Sequence, residues 1–160
     1  MADGVSAKPR VAILEDHEDT RELLRISLDS QFSCRDFEDA SHLLAELDQE
    51  NFSAVIADIM LPGLDGYEFI RKVRSKPRFQ NLCVIAVTAL AFEADRQKAI
   101  AAGFNEYLVK PITPMEIAGV VWRCLKPVIG VGVHDFSGGN HLLWNCYRAC
   151  CHFRRFEVQG

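Results

Sequence analysis

The stretch Ala54-Val55-Ile56-Ala57-Asp58-Ile59-Met60-Leu61-Pro62-Gly63 decides the fold. Four apolar residues lead to a carboxylate, Asp58, and a Pro-Gly turn follows shortly afterwards. Because no polar residue alternates with the apolar ones, the run predicts a parallel strand buried on both faces. Asp58 would then lie at the carboxyl end of a central strand, where open α/β sheets bind their ligands. A buried aspartate is rare unless it is paired or coordinates a metal, so the chain should also supply partners for Asp58.

Strand-like and helix-like segments alternate five times along the chain. Apolar runs predict strands at 11–14, 54–58, 82–87 and 107–109, and a more polar strand is predicted at 33–37. Helical spacing predicts helices within 21–29, 42–47, 67–73, 94–102 and 114–125. Segment 33–37 is polar enough to be an edge strand. The alternation predicts a parallel sheet covered by helices on both faces, with right-handed connections.

Length and charge exclude several classes of protein. A chain of 160 residues is enough for one domain with a sizeable core. The net charge of −4 argues against direct binding to nucleic acid, which needs a basic surface. No apolar run approaches the roughly 20 residues that span a bilayer. The first ten residues do not resemble a signal peptide, so we expect a cytoplasmic protein without membrane association.

The six cysteines divide into two groups. Cys34, Cys83 and Cys124 fall in apolar or mixed segments, and without an export signal we expect them to be reduced and to pack as small apolar residues. The others, Cys146, Cys150 and Cys151, lie in the tail, residues 128–160, where His141 and His152 are close to them in sequence. Their spacing does not match a zinc motif, so we do not expect a zinc site there.

The candidate functional residues lie at the ends of four predicted strands. These residues are the acidic pair Glu15-Asp16, then Asp58, Thr88 and Lys110. Because parallel strands all end at the same edge of a sheet, we expect these side chains to lie close together. Three crowded carboxylates need a cation, and oxygen ligands of this kind suit Mg²⁺. An ammonium and a hydroxyl beside the metal would hold a phosphoryl group, and an aspartate can accept one as a mixed anhydride.

These residues resemble the motifs of a response-regulator receiver domain of two-component signalling, over residues 10–127. The resemblance rests on the acidic pair, on Asp58 before Leu61-Pro62-Gly63-Leu64-Asp65-Gly66, on Thr88-Ala89 and on Lys110-Pro111. It implies a flavodoxin-like (βα)5 doubly wound sheet with strand order 2-1-3-4-5. It also implies that Asp58 takes a phosphoryl group from the phosphohistidine of a histidine kinase or a histidine phosphotransfer protein.

The resemblance assigns a magnesium site. Asp16, Asp58 and the backbone carbonyl of Met60 would bind Mg²⁺, and Glu15 would act through a water molecule. His17 follows the acidic pair, but a site of hard oxygen ligands does not favour imidazole, so we expect His17 to be exposed.

The resemblance also assigns the phosphoryl contacts and the switch. Thr88 would hydrogen-bond the phosphoryl oxygens, Lys110 would pair with them, and Tyr107 would turn inward as Thr88 moves. The side chains two positions after Asp58 and Thr88 would flank the approach of a hydrolytic water, and here they are Met60 and Leu90. Each residue also has a purely structural interpretation: Thr88 could end a strand, Lys110 could be a surface lysine, and Tyr107 could be core packing.

The function expected from this resemblance is a phosphorylation-dependent switch of the stand-alone, single-domain type, rather than an enzyme. The response would appear on the face built from the fourth helix, the last strand and the last helix, which would bind a downstream protein or a second copy. The last helix favours this because it has more apolar residues than one buried stripe requires: Ile117, Val120, Val121, Trp122 and Leu125.

Three questions remain open from the sequence. The chain could be a receiver module detached from a hybrid histidine kinase, although its early start argues mildly against this. It could instead be a phosphohydrolase that uses an aspartyl phosphate, but such enzymes need an acidic residue two positions after the nucleophile, where this chain has Met60. The tail, 128–160, matches no output domain and could be an interaction segment, a disordered extension or foreign sequence.

Overall fold

Five parallel strands form a single sheet in the computed structural model, which describes residues 7–125. The strands are β1 Arg10–Leu14, β2 Ser33–Phe37, β3 Ala54–Asp58, β4 Cys83–Thr88 and β5 Glu106–Val109. They pair in the order β2-β1-β3-β4-β5, and each pair of neighbours is parallel. The flavodoxin-like strand order 2-1-3-4-5 and the edge position of β2 are therefore confirmed.

A helix follows each strand. The helices are α1 Glu18–Leu28, α2 Ala40–Gln49, α3 Gly66–Ser75, α4 Glu93–Ala102 and α5 Pro114–Leu125, and a 3₁₀ turn, Pro77–Phe79, follows α3. Local signals fix several helix ends. The Asp65 carboxylate accepts a hydrogen bond from the Glu68 N–H and caps α3. Gly103 ends α4 with a φ of 118°, a left-handed conformation that favours glycine.

The sheet separates two apolar cores. One core contains residues of α1 and α5, including Leu24, Leu28, Ile117 and Val121, against one face of the sheet. The other contains residues of α2, α3 and α4 against the opposite face. The central strands β3 and β4 are buried along their whole length, as expected for parallel strands covered on both sides.

The expectation that Cys83 and Cys124 are reduced is wrong, because the structure joins them in a disulfide. Cys83 is the first residue of β4, and Cys124 lies in the last turn of α5. Their Cα atoms are 6.0 Å apart, within the range that a disulfide spans. The two residues are 41 positions apart, and only the packing of α5 on the sheet brings them together. Cys34 remains a free thiol, as expected.

The apolar excess of α5 also has a different role from the expected one. The five apolar residues singled out in the sequence are buried in the domain core or packed against it, and Ile117, Val121 and Leu125 are almost fully buried, whereas Met115 at the start of α5 is exposed. Trp122 is half-buried, stacks near Phe32 at 5.0 Å between ring centroids, and donates a hydrogen bond to Gln31. These side chains therefore fix α5 to the domain and do not form a free apolar surface.

Two further predictions from the sequence concern membrane-spanning helices and the end of the domain. Within residues 7–125, the structure contains no helix both long and apolar enough to cross a membrane. The domain end at residue 127 and the tail, 128–160, lie outside the described residues, so both remain predictions.

Candidate functional site

The carboxyl ends of β1, β3 and β5 bring three charged side chains into direct contact. The Lys110 ammonium lies just after β5 and donates to Glu15 Oε2 at 2.7 Å and to Asp58 Oδ2 at 2.6 Å. Glu15 follows β1, and Asp58 is the last residue of β3. Both carboxylates are buried, and a buried charge is tolerated when it is paired and hydrogen-bonded. The expected partner of Asp58 is therefore in place.

A cluster of carboxylates surrounds this contact. Glu15, Asp16 and Asp58 each offer one oxygen, and these oxygens lie within 4.8 Å of one another. Asp16 Oδ1 is buried and has no hydrogen-bond partner in the described part of the chain. An orphaned buried carboxylate oxygen beside two other carboxylates fits a hard divalent cation such as Mg²⁺. His17 is exposed, as expected, and only its backbone N–H contacts the cluster, at Glu15 Oε1.

Burial and the ion pairs shift two pKa values in this site. Burial raises the pKa of the Glu15 carboxyl, although the hydrogen bond from Lys110 opposes the shift. Burial alone would lower the pKa of the Lys110 ammonium, but its hydrogen bonds to Asp58 and Glu15 raise the pKa overall. Lys110 therefore keeps its positive charge at neutral pH, facing three carboxylates.

The loop after β3 fixes the orientation of the Asp58 carboxylate. Asp58 Oδ1 accepts a hydrogen bond from the Met60 N–H at 2.7 Å. The Gly66 N–H donates to the Ile59 carbonyl at 2.9 Å, so the start of α3 packs directly on the loop. A Cβ atom at Gly66 would lie 2.5 Å from the Cα of Ile59. Glycine is therefore required for this close approach of two backbones.

Thr88 and Lys110 are connected through the backbone. The Lys110 N–H donates to the Thr88 carbonyl at 2.8 Å, and Thr88 Oγ1 accepts from the Leu90 N–H at 3.2 Å. The Tyr107 hydroxyl in turn donates to the Leu90 carbonyl at 2.8 Å. Thr88 is fully buried and Tyr107 almost so. The segment after β4 thus contacts both residues expected to form the switch.

The sequence interpretation missed one residue that shapes the acidic loop. Arg21 Nη1 donates to the carbonyls of Glu15 at 2.8 Å and Asp16 at 3.2 Å. These bonds hold the backbone between β1 and α1. The position of Arg21, on the helix directly after the acidic pair, was a possible indication of this role. However, a side chain that binds backbone carbonyls does not require particular residue types at those positions, so the contact cannot be recognised as a sequence motif.

Similarity to known proteins agrees with this geometry. The sequence profile described as the response regulator receiver domain matches residues 11–121. The chain belongs to the response regulator receiver domain family. Members of this family act as phosphoacceptor switches in two-component signalling rather than as classical enzymes, and they bind Mg²⁺ at an acidic pocket. They interact with histidine kinases and downstream effectors.

Relatives differ in how much of their length the receiver domain occupies. The chain is 37% identical over 121 residues to the "Uncharacterized 14.6 kDa protein in sodA1 3′region" of Leptolyngbya boryana, with 74% of this chain and 92% of that protein covered. It is 31% identical over 119 residues to the phosphate regulon transcriptional regulatory protein PhoB of Rhizobium meliloti, with 74% of this chain and 52% of that protein covered. The match therefore spans about half of PhoB.

A solved receiver domain shows the same fold. The receiver domain of sensor histidine kinase PA1611 from Pseudomonas aeruginosa superposes with a TM-score of 0.69 at 26% identity, covering 75% of this chain and 99% of that one. That structure has a magnesium ion coordinated in the active site cleft. Its similarity to this chain shows the receiver fold, while the ion is a property of that structure.

Proposed function

We propose that this chain is a cytoplasmic signalling switch that accepts a phosphoryl group onto Asp58. The donor is the phosphohistidine of a histidine kinase or of a histidine phosphotransfer protein. The main support for the proposal is that Asp58 is buried at the carboxyl end of β3, beside the acidic pair and in contact with the Lys110 ammonium. We further propose that the receiver domain comprises residues 10–127.

Mg²⁺ is part of the proposal because the donor set fits it. Asp16, Asp58 and the Met60 backbone carbonyl would hold the ion, and Glu15 would act through a water molecule. The unpartnered oxygen of Asp16 supports this assignment. When bound, Mg²⁺ supplies positive charge beside the phosphoryl oxygens. Lys110 contacts two of the three carboxylates, Glu15 and Asp58.

The residues of the site account for the transfer step. A carboxylate oxygen of Asp58 forms a bond to phosphorus while the phosphorus–nitrogen bond to the donor histidine breaks and its electron pair stays on that nitrogen. Lys110 already lies 2.6 Å from Asp58 Oδ2 and neutralises the negative charge of the phosphoryl oxygens. The Thr88 hydroxyl, at the end of the neighbouring strand β4, would donate to one of them.

Phosphorylation would change a face formed by α4, β5 and α5. Each of these elements carries one large, exposed apolar side chain: Ile100 on α4, Val109 on β5 and Met115 on α5. Tyr107 on β5 joins this face to the active site through the Leu90 carbonyl. We propose that the face binds a downstream protein or a second copy of the chain, and that phosphorylation shifts a pre-existing equilibrium between two forms.

A second candidate is a receiver module of a hybrid histidine kinase. The similarity to the receiver domain of sensor histidine kinase PA1611 supports this alternative. Both candidates use the same phosphoacceptor chemistry. They differ in the fate of the phosphoryl group. In a hybrid kinase it is transferred to a histidine phosphotransfer protein, whereas in a terminal switch it stays on the aspartate until it is hydrolysed.

The proposal is tested by phosphorylation with a small donor. We expect acetyl phosphate with Mg²⁺ to add one phosphoryl group to the full chain, measured as a single increment in intact mass. Removal of Mg²⁺ with EDTA should reduce the yield by at least about tenfold, since charge stabilisation of this kind contributes factors of that size. Equal labelling with and without EDTA would contradict the magnesium assignment, and no labelling under either condition would contradict the phosphoacceptor assignment.

A further inference from the structure

The disulfide between Cys83 and Cys124 links two elements that carry different parts of the proposed switch. Cys83 begins β4, the strand that ends at Thr88, and Cys124 lies in the last turn of α5. The bond closes a loop containing β4, α4, β5 and nearly all of α5. A crosslink over a separation of 41 residues removes considerable conformational freedom from the unfolded chain.

The two sulfur atoms differ in accessibility. Cys83 is 2% exposed, whereas Cys124 is only partly buried. A small thiol or disulfide can therefore reach Cys124 first, and Cys83 reacts only with its partner. Proteins whose thiols are kept reduced form disulfides mainly as transient, redox-sensing bonds. This step rests on the cytoplasmic location proposed above.

We propose that Cys83 and Cys124 form a reversible redox site that fixes α5 to the sheet when it is oxidised. The oxidant is a low-molecular-weight disulfide. The Cys124 thiolate attacks one of its sulfurs and releases one small thiol; the Cys83 thiolate then attacks Cys124 Sγ and releases the second. Two protein thiols and one small disulfide thus give one protein disulfide and two small thiols. The reverse reaction begins with a small thiol at Cys124.

The position of the bond predicts which property changes. Cys83 and Thr88 lie at opposite ends of β4, about 16 Å apart at the usual rise of a strand. The acidic cluster is at the Thr88 end, so oxidation leaves phosphorylation of Asp58 unchanged. The restraint acts on α5, one of the three elements of the proposed partner face.

The test uses the full chain with the remaining cysteines, Cys34, Cys146, Cys150 and Cys151, replaced by serine. After equilibration with oxidised glutathione, we expect both thiols to be lost to alkylation together, the melting temperature to rise by at least about 5 °C, and amide exchange in α5 to slow by at least about tenfold. Phosphorylation by acetyl phosphate should be equal in both forms.

Single variants in the same background test the order of reaction. With Cys83→Ser, Cys124 should form a mixed disulfide with glutathione; with Cys124→Ser, Cys83 should react at least about tenfold more slowly because it is buried. A third variant, which keeps Cys34 as its sole cysteine, supplies the reference thiol, since burial and the nearby carboxylates Asp29 and Asp36 raise the pKa of that thiol to about 11.

Three results would overturn the proposal. The first is that Cys83 and Cys124 remain free thiols after incubation with excess oxidised glutathione. The oxidised and reduced forms could have the same melting temperature and the same exchange in α5. Finally, unequal phosphorylation of the two forms would show that the effect is not confined to α5. The first two outcomes do not depend on whether Asp58 is the phosphoacceptor, so they separate a failure of this proposal from a failure of the proposed function.

Discussion

At the level of single residues, the main feature of the site is that its negative charges outnumber its positive ones. Three carboxylates meet one ammonium, and Lys110 contacts two of them directly. The third, Asp16, has a buried oxygen with no hydrogen-bond partner among residues 7–125. We therefore expect this cluster to favour a cation beside Asp16, and the Mg²⁺ ion proposed above would also offset the negative charge of a phosphoryl group on Asp58.

The lifetime of the phosphorylated state depends on two apolar side chains. Met60 is exposed at 59% and Leu90 is half-buried, and they lie in the loops after Asp58 and Thr88. Neither can hydrogen-bond a water molecule held in line with phosphorus, and hydrolysis requires such a water. We therefore predict a phosphorylated state that is long-lived for a receiver domain, measured as loss of phosphate from the isolated protein.

The matched experiment restores polar groups at both positions. The double variant Met60→Asn with Leu90→Glu should lose phosphate at least about tenfold faster, because oriented water and proton acceptance contribute factors of that order. Ile100→Asn, which changes an exposed apolar residue on α4, is the control and should decay at the parent rate. Decay of the double variant at the parent rate would disprove the water-exclusion argument.

At the scale of elements, the close packing of α3 on the loop after β3 determines the shape of the site. Gly66→Ala would place a Cβ atom 2.5 Å from the Ile59 Cα, and backbone atoms cannot move aside cheaply. We predict a loss of about 3 kcal/mol in the free energy of unfolding, measured by urea denaturation, and slower phosphorylation because the Asp58 loop must shift.

Gly63 provides the comparison. It lies in the same loop with a φ of +79°, but a Cβ there meets nothing within 4 Å. Gly63→Ala should cost only about 1 kcal/mol, from the left-handed backbone alone. Equal losses in the two variants would show that the contact with Ile59 does not determine the stability of the loop.

Much of the element structure could be predicted from sequence because its signals are local. The apolar runs of β3 and β4, the cap at Asp65 and the stop at Gly103 act within a few residues. The Cys83–Cys124 bond and the burial of the apolar residues of α5 could not be predicted in this way. The bond and the burial depend on how α5 packs against β4 and α1. The spacing of apolar residues along a helix predicts that one face is buried, but it does not specify which element covers that face.

The candidate site was predictable for a different reason. Parallel strands end at one edge, so Asp58, Glu15 and Lys110 could be placed together from their positions at strand ends, and the structure places them in contact. The contact of Arg21 with the backbone of the acidic loop could not be predicted, because it depends on the orientation of α1.

At the scale of the whole molecule, the domain should be independent of residues after 127. Residues 7–125 contain all five strands and all five helices of the receiver fold, with an apolar core on each face of the sheet. We predict that a chain ending at Pro127 keeps a cooperative melt, within about 2 °C of the full chain, and keeps Mg²⁺-dependent phosphorylation. A drop of several degrees, measured by calorimetry, would show that the tail contributes to the stability of the domain.

The central claim is that Asp58 alone accepts the phosphoryl group. The most direct measurement is the intact mass of two variants after incubation with acetyl phosphate and Mg²⁺. Asp65→Asn is the matched control, because Asp65 lies seven residues further on and caps α3, a role that asparagine can also fill. We predict that Asp58→Asn gains no phosphoryl group while Asp65→Asn is labelled like the parent. Full labelling of Asp58→Asn would contradict it.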